Sequence, residues 1–244
     1  MIRKQAILFA VFATQLWCAG SAVAAQLRVE PVLLEMNAPA AAGTLTLRND
    51  ENDEVTVQTR VLRWSQSAGK ETLEPTTDVV ASPPAVTLAP GADYVVRVVR
   101  VSKQSVQGEE SYRVIVDQLP RVRRQQARTV NLLIRQSIPV FFRGKELNIP
   151  NVSWSLSFEA GKLIVVANNA GDERLRIASL RLKDASGSSI SFGNGLVGYV
   201  LGRSSMSWAA PNNPRGFGTG GAVSITAETD KGPTHAVVQA PARR

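Results

Sequence analysis

The sequence predicts an all-β protein made of two sandwich domains. Short runs of strand-forming residues, bounded by turn residues, recur along the chain after residue 26, and no stretch has convincing helical periodicity. One stretch, TVNLLIRQSIPVFF at 129–142, keeps a period of two over about twice the usual strand length. A turn pattern from the first half of the chain also recurs 119 positions later. Together these observations favour two similar β-sandwiches.

Residues 1–24 are typical of a cleavable secretory signal. Arg3 and Lys4 precede an apolar core, and small residues up to Ala24 offer a cleavage site. Cleavage leaves 220 residues with a net charge near +6 and no cysteine, because Cys18 lies in the signal. The mature chain would therefore enter an oxidising compartment without disulfides. No later segment reaches transmembrane length, so we expect no membrane insertion of the mature chain.

The first domain is assigned to residues 25–145. Its last predicted strand, Thr129–Phe142, has apolar or uncharged residues at every even position, which indicates two unequal faces. Pro139 lacks an N–H, so this strand either lies at a sheet edge or ends its ladder there. An apolar edge strand makes sense if it pairs with a partner's open sheet edge, although an ordinary core strand is the alternative. The predicted strands of this domain are Leu27–Met36, Gly43–Leu47, Val55–Trp64, Tyr94–Val101, Ser111–Leu119 and Thr129–Phe142.

The second domain is assigned to residues 146–244, after a break at Gly144–Pro150. The repeat relates its first hairpin to one in the first domain, where Asn49, Asp53 and Glu54 correspond to Asn168, Asp172 and Glu173. The predicted strands are Val152–Phe158, Lys162–Ala167, Arg174–Lys183, Val197–Leu201, Val223–Glu228 and His235–Gln239.

The composition does not indicate an enzyme, and we expect no cofactor. His235 is the only histidine and the mature chain has no thiol, which excludes metal clusters of His and Cys. The GFGTGG run at 216–221 lacks the strand before it and the helix after it that a dinucleotide site needs. Export argues against nucleic acid as a partner despite the basic charge. Carboxylates or anionic surfaces are the expected partners.

Several short motifs, in order and with characteristic spacing, resemble one family. They are LAPG at 88–91, VRV at 96–98, SYR at 111–113, LP at 119–120 and VFFR at 140–143. Over nearly the whole mature chain the sequence resembles the periplasmic pilus-assembly chaperones of the chaperone–usher pathway. The resemblance implies two immunoglobulin-like β-sandwich domains in an L-shaped arrangement.

The resemblance also implies a mechanism, donor-strand complementation. The chain would lend Thr129–Phe142 to a pilus subunit that lacks its last strand, until an outer-membrane usher polymerises the subunit. The expected partners are therefore pilus or fimbrial subunits and the usher, and the expected location is the periplasm. The free form could self-associate through the same edge. The residues expected to bind the subunit are Val130, Leu132, Ile134, Gln136 and Ile138.

One departure from the family pattern concerns the anchor for the subunit's C-terminal carboxylate. In the best-known branch an arginine on the first strand and a lysine on the seventh provide it, and Val32 and Pro139 stand at those positions here. The sequence is instead similar to the archaic branch of Csu and spore-coat-U type pili. The anchor expected first is Arg113, followed by Arg135 and Arg97; the alternative for each is a solvated strand arginine.

A function from another class stays open on the residues alone. Trp64, Trp154 and Trp208 could form a stacking platform of an exported glycan-binding β-sandwich, although isolated tryptophans on strands are mostly core residues. Retention on a polysaccharide column would favour that reading, and co-purification with a small secreted subunit would favour the chaperone.

Overall fold

The computed structural model describes residues 27–120, 133–212, 217 and 221–240, and every regular element in these residues is a β-strand. The all-β class is therefore confirmed. No helix in this part of the chain offers a membrane-spanning segment. The strands of the first half are β1 (Leu27–Glu30), β2 (Leu34–Asn37), β3 (Ala42–Asn49), β4 (Val55–Ser67), β5 (Lys70–Pro75), β6 (Val79–Ser82), β7 (Ala85–Leu88), β8 (Asp93–Arg100), β9 (Glu109–Gln118) and β10 (Arg135–Arg143). Those of the second half are β11 (Val152–Glu159), β12 (Lys162–Asn169), β13 (Leu175–Asp184), β14 (Ser189–Ser191), β15 (Leu196–Val200), β16 (Ser204–Ala209), β17 (Ala222–Thr229) and β18 (Gly232–Gln239).

Strands β1 to β10 form a sandwich of two sheets. One sheet has the order β1-β3-β8-β6, and the other has the order β2-β10-β9-β4-β5 with β7 paired to β4. Alternate residues of most strands point between the sheets and bury a common core, to which β5 contributes none. On β9 and β10 the core-facing residues are Tyr112, Val114, Val116, Ile138, Val140 and Phe142.

Strands β11 to β18 form a second sandwich. Its sheets have the orders β11-β12-β16 and β14-β13-β17-β18, with β15 paired to β13. Its core shares no residue with that of the first sandwich, so each sandwich buries apolar surface on its own. The linking segment lies between Arg143 and Val152, where the sequence predicted the break.

The first predicted strand, Leu27–Met36, is wrong as a single element. The chain forms β1 and β2 instead, and these belong to different sheets: β1 pairs antiparallel with β3, whereas β2 pairs in parallel with β10. Pro31 lies between them, and a residue without an N–H interrupts a strand ladder. The chain therefore changes sheets at this point.

The sequence missed strands β5, β6, β7, β14 and β16. All six residues of β5 are exposed. A strand without a buried face needs no alternation of apolar and polar residues, and its sequence KETLEP has none. Strand β16 reads SSMSWA, and its residues are only half-buried apart from an exposed last residue. The predicted strand at His235–Gln239 is confirmed as the greater part of β18.

The internal repeat exists in the structure, but its register differs by one residue from the predicted one. The buried Asn49 side chain donates to the carbonyl oxygen of Asp53, four residues on, at 2.8 Å. Asn169, not the exposed Asn168, does the same to Glu173 at 2.8 Å. Each buried asparagine ends a strand and satisfies the carbonyl groups of the following turn, which is why the motif recurs.

Candidate functional site

Strand β10 has an open edge over half of its length. Antiparallel pairing with β9 extends along the whole strand, from Arg135 to Arg143. Pairing with β2 on the other side covers only Val140–Arg143. Among the described residues, no strand pairs with the outer side of Arg135–Pro139. The sequence placed a sheet edge at Pro139, and the paired stretch begins one residue after it.

The even-numbered residues of this stretch share one face. Ile138 lies in the core of the first sandwich, and the half-buried Gln136 donates to the carbonyl oxygen of Leu27 at 2.8 Å. Ile134 precedes the strand and is half-buried, and its carbonyl oxygen accepts from the N–H of Gln118 at 2.9 Å. Val130 and Leu132, together with the start of the predicted strand at Thr129, lie outside the described residues.

Arg113 lies on β9 directly opposite Pro139 of β10 and Leu62 of β4. Its neighbours Tyr112 and Val114 face the core, so the Arg113 side chain is on the outer face of the sheet. The guanidinium carbon is 3.8 Å from the centroid of the Trp64 ring, which covers one face of the cation. Burial lowers the pKa of Arg113, against a smaller opposing effect of Glu71. No hydrogen bond or ion pair joins its side chain to a described residue.

Arg113 lines a pocket of about 220 Å³ between the two sandwiches. The first sandwich contributes the long β4–β5 hairpin and Arg113, and the second contributes β15 and β16. The lining residues are Trp64, Gln66, Glu71, Arg113, Leu196, Val197, Gly198, Tyr199, Met206 and Trp208. A half-buried cation that forms no ion pair with a described residue therefore lies in one cavity with several apolar side chains.

The structure does not bring the other two predicted anchor residues to this pocket. Arg135 is exposed and forms an ion pair with Asp117, which also binds Arg60 at 2.6 Å. Arg97 is exposed on β8, in the opposite sheet of the first sandwich. Val32, at one anchor position of the best-known branch, is an exposed residue between β1 and β2.

A buried group of charges between the sandwiches was missed by the sequence reasoning. Arg174, whose side chain is 3% exposed, crosses from the second sandwich to Glu109, which is 1% exposed, at 2.5 Å, and also contacts Glu35. Its guanidinium carbon lies 3.6 Å from the centroid of the Phe141 ring. In the reverse direction, Arg143 of the first sandwich binds Glu173 of the second. No sequence motif marks these residues, because their pairing depends on how two separate folds meet.

Burial dominates the electrostatics of Glu109. Loss of hydration raises the pKa of its carboxyl group, and the charge and hydrogen bonds of Arg174 act in the opposite direction without cancelling the effect. Glu109 would be much harder to keep ionised without Arg174.

Polar and aromatic contacts complete the interface between the sandwiches. The Gln66 side chain donates to the carbonyl oxygen of Tyr199 and accepts from the N–H of Leu201, both at 2.9 Å. Nearby, Trp64, Phe141, Tyr199 and Leu201 form a small apolar cluster. The turn of the β4–β5 hairpin docks on β16, where the N–H of Ser207 donates to the carbonyl oxygen of Gly69 at 3.1 Å.

The fold and the open edge define a class: a two-sandwich protein that presents an incompletely paired strand beside a cleft between its sandwiches. The family described as pili and flagellar-assembly chaperone, PapD N-terminal domain, matches residues 26–148, just over half of the chain. The chain therefore belongs to this family. The comparison with curated proteins returned no sequence match.

Solved structures of the same kind share the fold over most of the chain. A chain of the CsuC–CsuE complex, a chaperone–tip adhesion subunit pre-assembly complex from archaic Csu pili of Acinetobacter baumannii, is 23% identical, with a TM-score of 0.69 over 89% of this chain and 100% of that one. The YadV chaperone is 16% identical, with a TM-score of 0.61 over 86% and 98%. A chain of the Salmonella enterica SafA pilin–SafB chaperone complex is 20% identical, with a TM-score of 0.60 over 87% and 96%. The two-sandwich fold of these chaperones is thereby confirmed for this chain.

Proposed function

We propose that this chain is a periplasmic chaperone that captures pilus subunits by lending them its β10 edge. The observation that carries the proposal is the open side of Arg135–Pro139, beside an apolar face that continues to Ile134. A strand from a subunit can pair with this edge, while the even-numbered side chains fill the subunit's groove. The residues proposed to bind the subunit are Val130, Leu132, Ile134, Gln136 and Ile138. Ile138 is the last of them, because it already lies in the chaperone's own core.

We propose Arg113 as the anchor for the subunit's terminal carboxylate. Its position opposite Pro139, its stacking on Trp64 and its lack of an ionic partner support this choice. A guanidinium held by stacking keeps its N–H edge available for a bidentate carboxylate. Arg135, already paired with Asp117, is the second choice, and Arg97 the third.

The remaining parts of the proposal follow the family. Residues 1–24 act as a cleaved export signal, residues 25–145 and 146–244 form the two domains, and the loaded chaperone delivers its subunit to an outer-membrane usher. The chain works without catalysis, cofactor or metal. The described residues contain no group of three or more metal-ligating side chains.

Co-expression with the neighbouring pilus operon genes, followed by mass analysis of the purified complex, tests the proposal. Ile134→Asp and Leu132→Asp should abolish capture, since each apolar side chain contributes about 1.5–3 kcal/mol when buried in a groove. Leu133→Asp is the matched control, because Leu133 is exposed and has the opposite parity. Normal capture by folded Ile134→Asp and Leu132→Asp variants would refute the donor-strand assignment.

The anchor is tested by subunit recovery with Arg113→Ala, Arg135→Ala and Arg97→Ala side by side. A carboxylate left buried without its partner costs about 2–5 kcal/mol, so Arg113→Ala should lose most of the complex. Arg113→Lys should rescue only partly, because lysine lacks the planar fork. Full recovery with Arg113→Ala would refute its role as the anchor.

The glycan-binding alternative gains no support from the described residues. Trp64 is buried, and the guanidinium of Arg113 covers one face of its ring. The remaining space beside it, about 220 Å³, is smaller than a typical small-molecule site of roughly 300–1,000 Å³.

A further inference from the structure

The pocket between the sandwiches is lined by a tryptophan indole as well as by the Arg113 guanidinium. Trp208, on β16, lines it with an indole N–H that donates to no described residue. A Cβ at position 198 would lie 3.2 Å from Trp208 Nε1, so the indole lies directly against the backbone of Gly198. The pocket therefore contains two donors without a hydrogen-bond partner among the described residues, the Arg113 guanidinium and the Trp208 indole, one from each sandwich.

The second sandwich also supplies apolar surface to the pocket. Leu196 is 57% exposed although it lies on β15, and it lines the pocket with Val197 and Met206. The exposed leucine and its two half-buried neighbours together form a small apolar surface at this cavity. These side chains line the same pocket as the Arg113 guanidinium.

Size and charge restrict what could occupy this space. About 220 Å³ holds several water molecules, each needing roughly 30 Å³, but is too small for a folded element. Glu71 lines the same pocket and accepts a hydrogen bond from Trp64 Nε1 at 3.0 Å, so a negative side chain would meet an acidic neighbour. The space and the charges fit the C-terminal residue of one peptide chain, with its carboxylate and an uncharged side chain.

We infer that this pocket binds the side chain of a captured subunit's last residue as well as its terminal carboxylate, and that it prefers a large apolar side chain. The inference rests on the chaperone function and on the Arg113 anchor proposed above. The carboxylate binds Arg113 and the Trp208 indole, and the terminal side chain lies against Leu196, Val197 and Met206. The second sandwich thus contributes specificity to a site whose capture strand belongs entirely to the first.

The test uses N-acetylated tripeptides titrated into the mature chaperone, with the tryptophan indole signals followed by NMR. Four peptides end in two glycines followed by leucine, leucine amide, serine or aspartate. The leucine acid should bind about tenfold or more tightly than the serine acid, because its side chain leaves water. The amide and the aspartate peptide should bind more weakly than the leucine acid, and the Trp208 indole signal should shift.

Variants locate the preference. Leu196→Ser should remove the preference for leucine over serine. Gly198→Ala should instead weaken binding of both acids, because a Cβ at this position would displace the Trp208 ring that donates to the carboxylate. Val237→Ser is the matched control, because Val237 is 60% exposed on β18 and does not line this pocket. It should keep the wild-type preference.

The outcomes separate this inference from the function on which it rests. Equal binding of leucine and serine acids, with the amide still excluded, would overturn side-chain selection while supporting the anchor. Equal binding of acid and amide, unchanged binding by Arg113→Ala, or no shift at the solubility limit would overturn the site itself. The donor strand is tested independently, because Ile134→Asp should leave peptide binding unchanged while it abolishes capture of the whole subunit.

Discussion

Replacing Arg174 by alanine should destabilise the protein by about 3–5 kcal/mol, the cost of leaving a buried carboxylate without its partner. The magnitude follows from the surroundings of Glu109, which is 1% exposed and is bound by both the side chain and the backbone N–H of Arg174, at 2.5 and 3.1 Å. The substitution also removes the cation from the Phe141 ring. The loss should be measured by urea denaturation, followed by circular dichroism and by tryptophan fluorescence, since Trp64 lies in the interface.

The same variant should show a characteristic dependence on pH. Burial raises the pKa of Glu109, so the folded state holds its proton more tightly than the unfolded state does. The contribution of Glu109 to stability therefore falls as the pH rises from the ordinary glutamate pKa through the raised one. Removing Arg174 raises the pKa further, because the arginine opposes the effect of burial. The stability difference between wild type and Arg174→Ala should thus be larger near pH 8 than near pH 4.

Arg203→Ala provides the control, because Arg203 pairs with Asp172 at 2.7 Å while its side chain is 64% exposed. An exposed ion pair contributes about 0–1 kcal/mol. Similar small losses for both variants, or a loss for Arg174→Ala that does not change with pH, would refute the view that burial makes the Glu109 pair important.

Three further predictions concern the hairpin docking, the internal repeat and the open edge. Gly69→Ala should cost about 1–3 kcal/mol more than Gly91→Ala by denaturation, because both have positive φ but only at 69 would a Cβ lie 2.5 Å from another atom, the Ser207 hydroxyl oxygen. Equal losses of stability for the two variants would show that Ser207 moves away from an added Cβ at little cost. Asn169→Ala should cost about 1–3 kcal/mol, since it leaves buried carbonyl groups unpaired, whereas the exposed Asn168→Ala should be nearly neutral. The reverse order would restore the register predicted from the sequence. The free chaperone should self-associate with rising concentration in sedimentation velocity, and Ile134→Asp should weaken this; a monomer at every concentration would contradict it.

Local pattern was enough to predict most of the framework. The strand-like run at Ser111–Leu119 located β9, of which Tyr112, Val114 and Val116 are in the core. The missing N–H of Pro139 indicated a sheet edge or the end of a ladder. The edge is what the structure has, because β10 pairs with β9 throughout and with β2 only from Val140 onward. These features depend on a residue and its immediate neighbours, so they can be read along the chain.

Features that depend on the meeting of the two sandwiches could not be predicted. Arg174 and Glu109 are 65 positions apart, and neither position carries a periodic signal. The pocket at Arg113 likewise requires β15 and β16 of the second sandwich to close over the first. Strand β5 has six exposed residues and no alternation, yet the hairpin that it forms with β4 docks on β16. The alternation of apolar and polar residues indicates which side chains are buried within one sandwich. These residues are buried or positioned by contacts between the two sandwiches, which the alternation does not indicate.

Three features of β10 limit which strands can pair with its open edge. A free strand edge normally invites indiscriminate pairing, and proteins counter this with charge, proline and short length. All three occur here: Arg135 begins the strand, Pro139 removes one donor, and the open stretch extends only from Arg135 to Pro139. Backbone pairing over so short a stretch gives little selectivity, because a strand shifted by two residues keeps the same face inward. A charged contact at a fixed point would set the register, and Arg113 lies one strand away from the end of the open stretch. Under the proposed function the edge and the pocket would act as one site, in which the strand captures the subunit and the cleft sets its register.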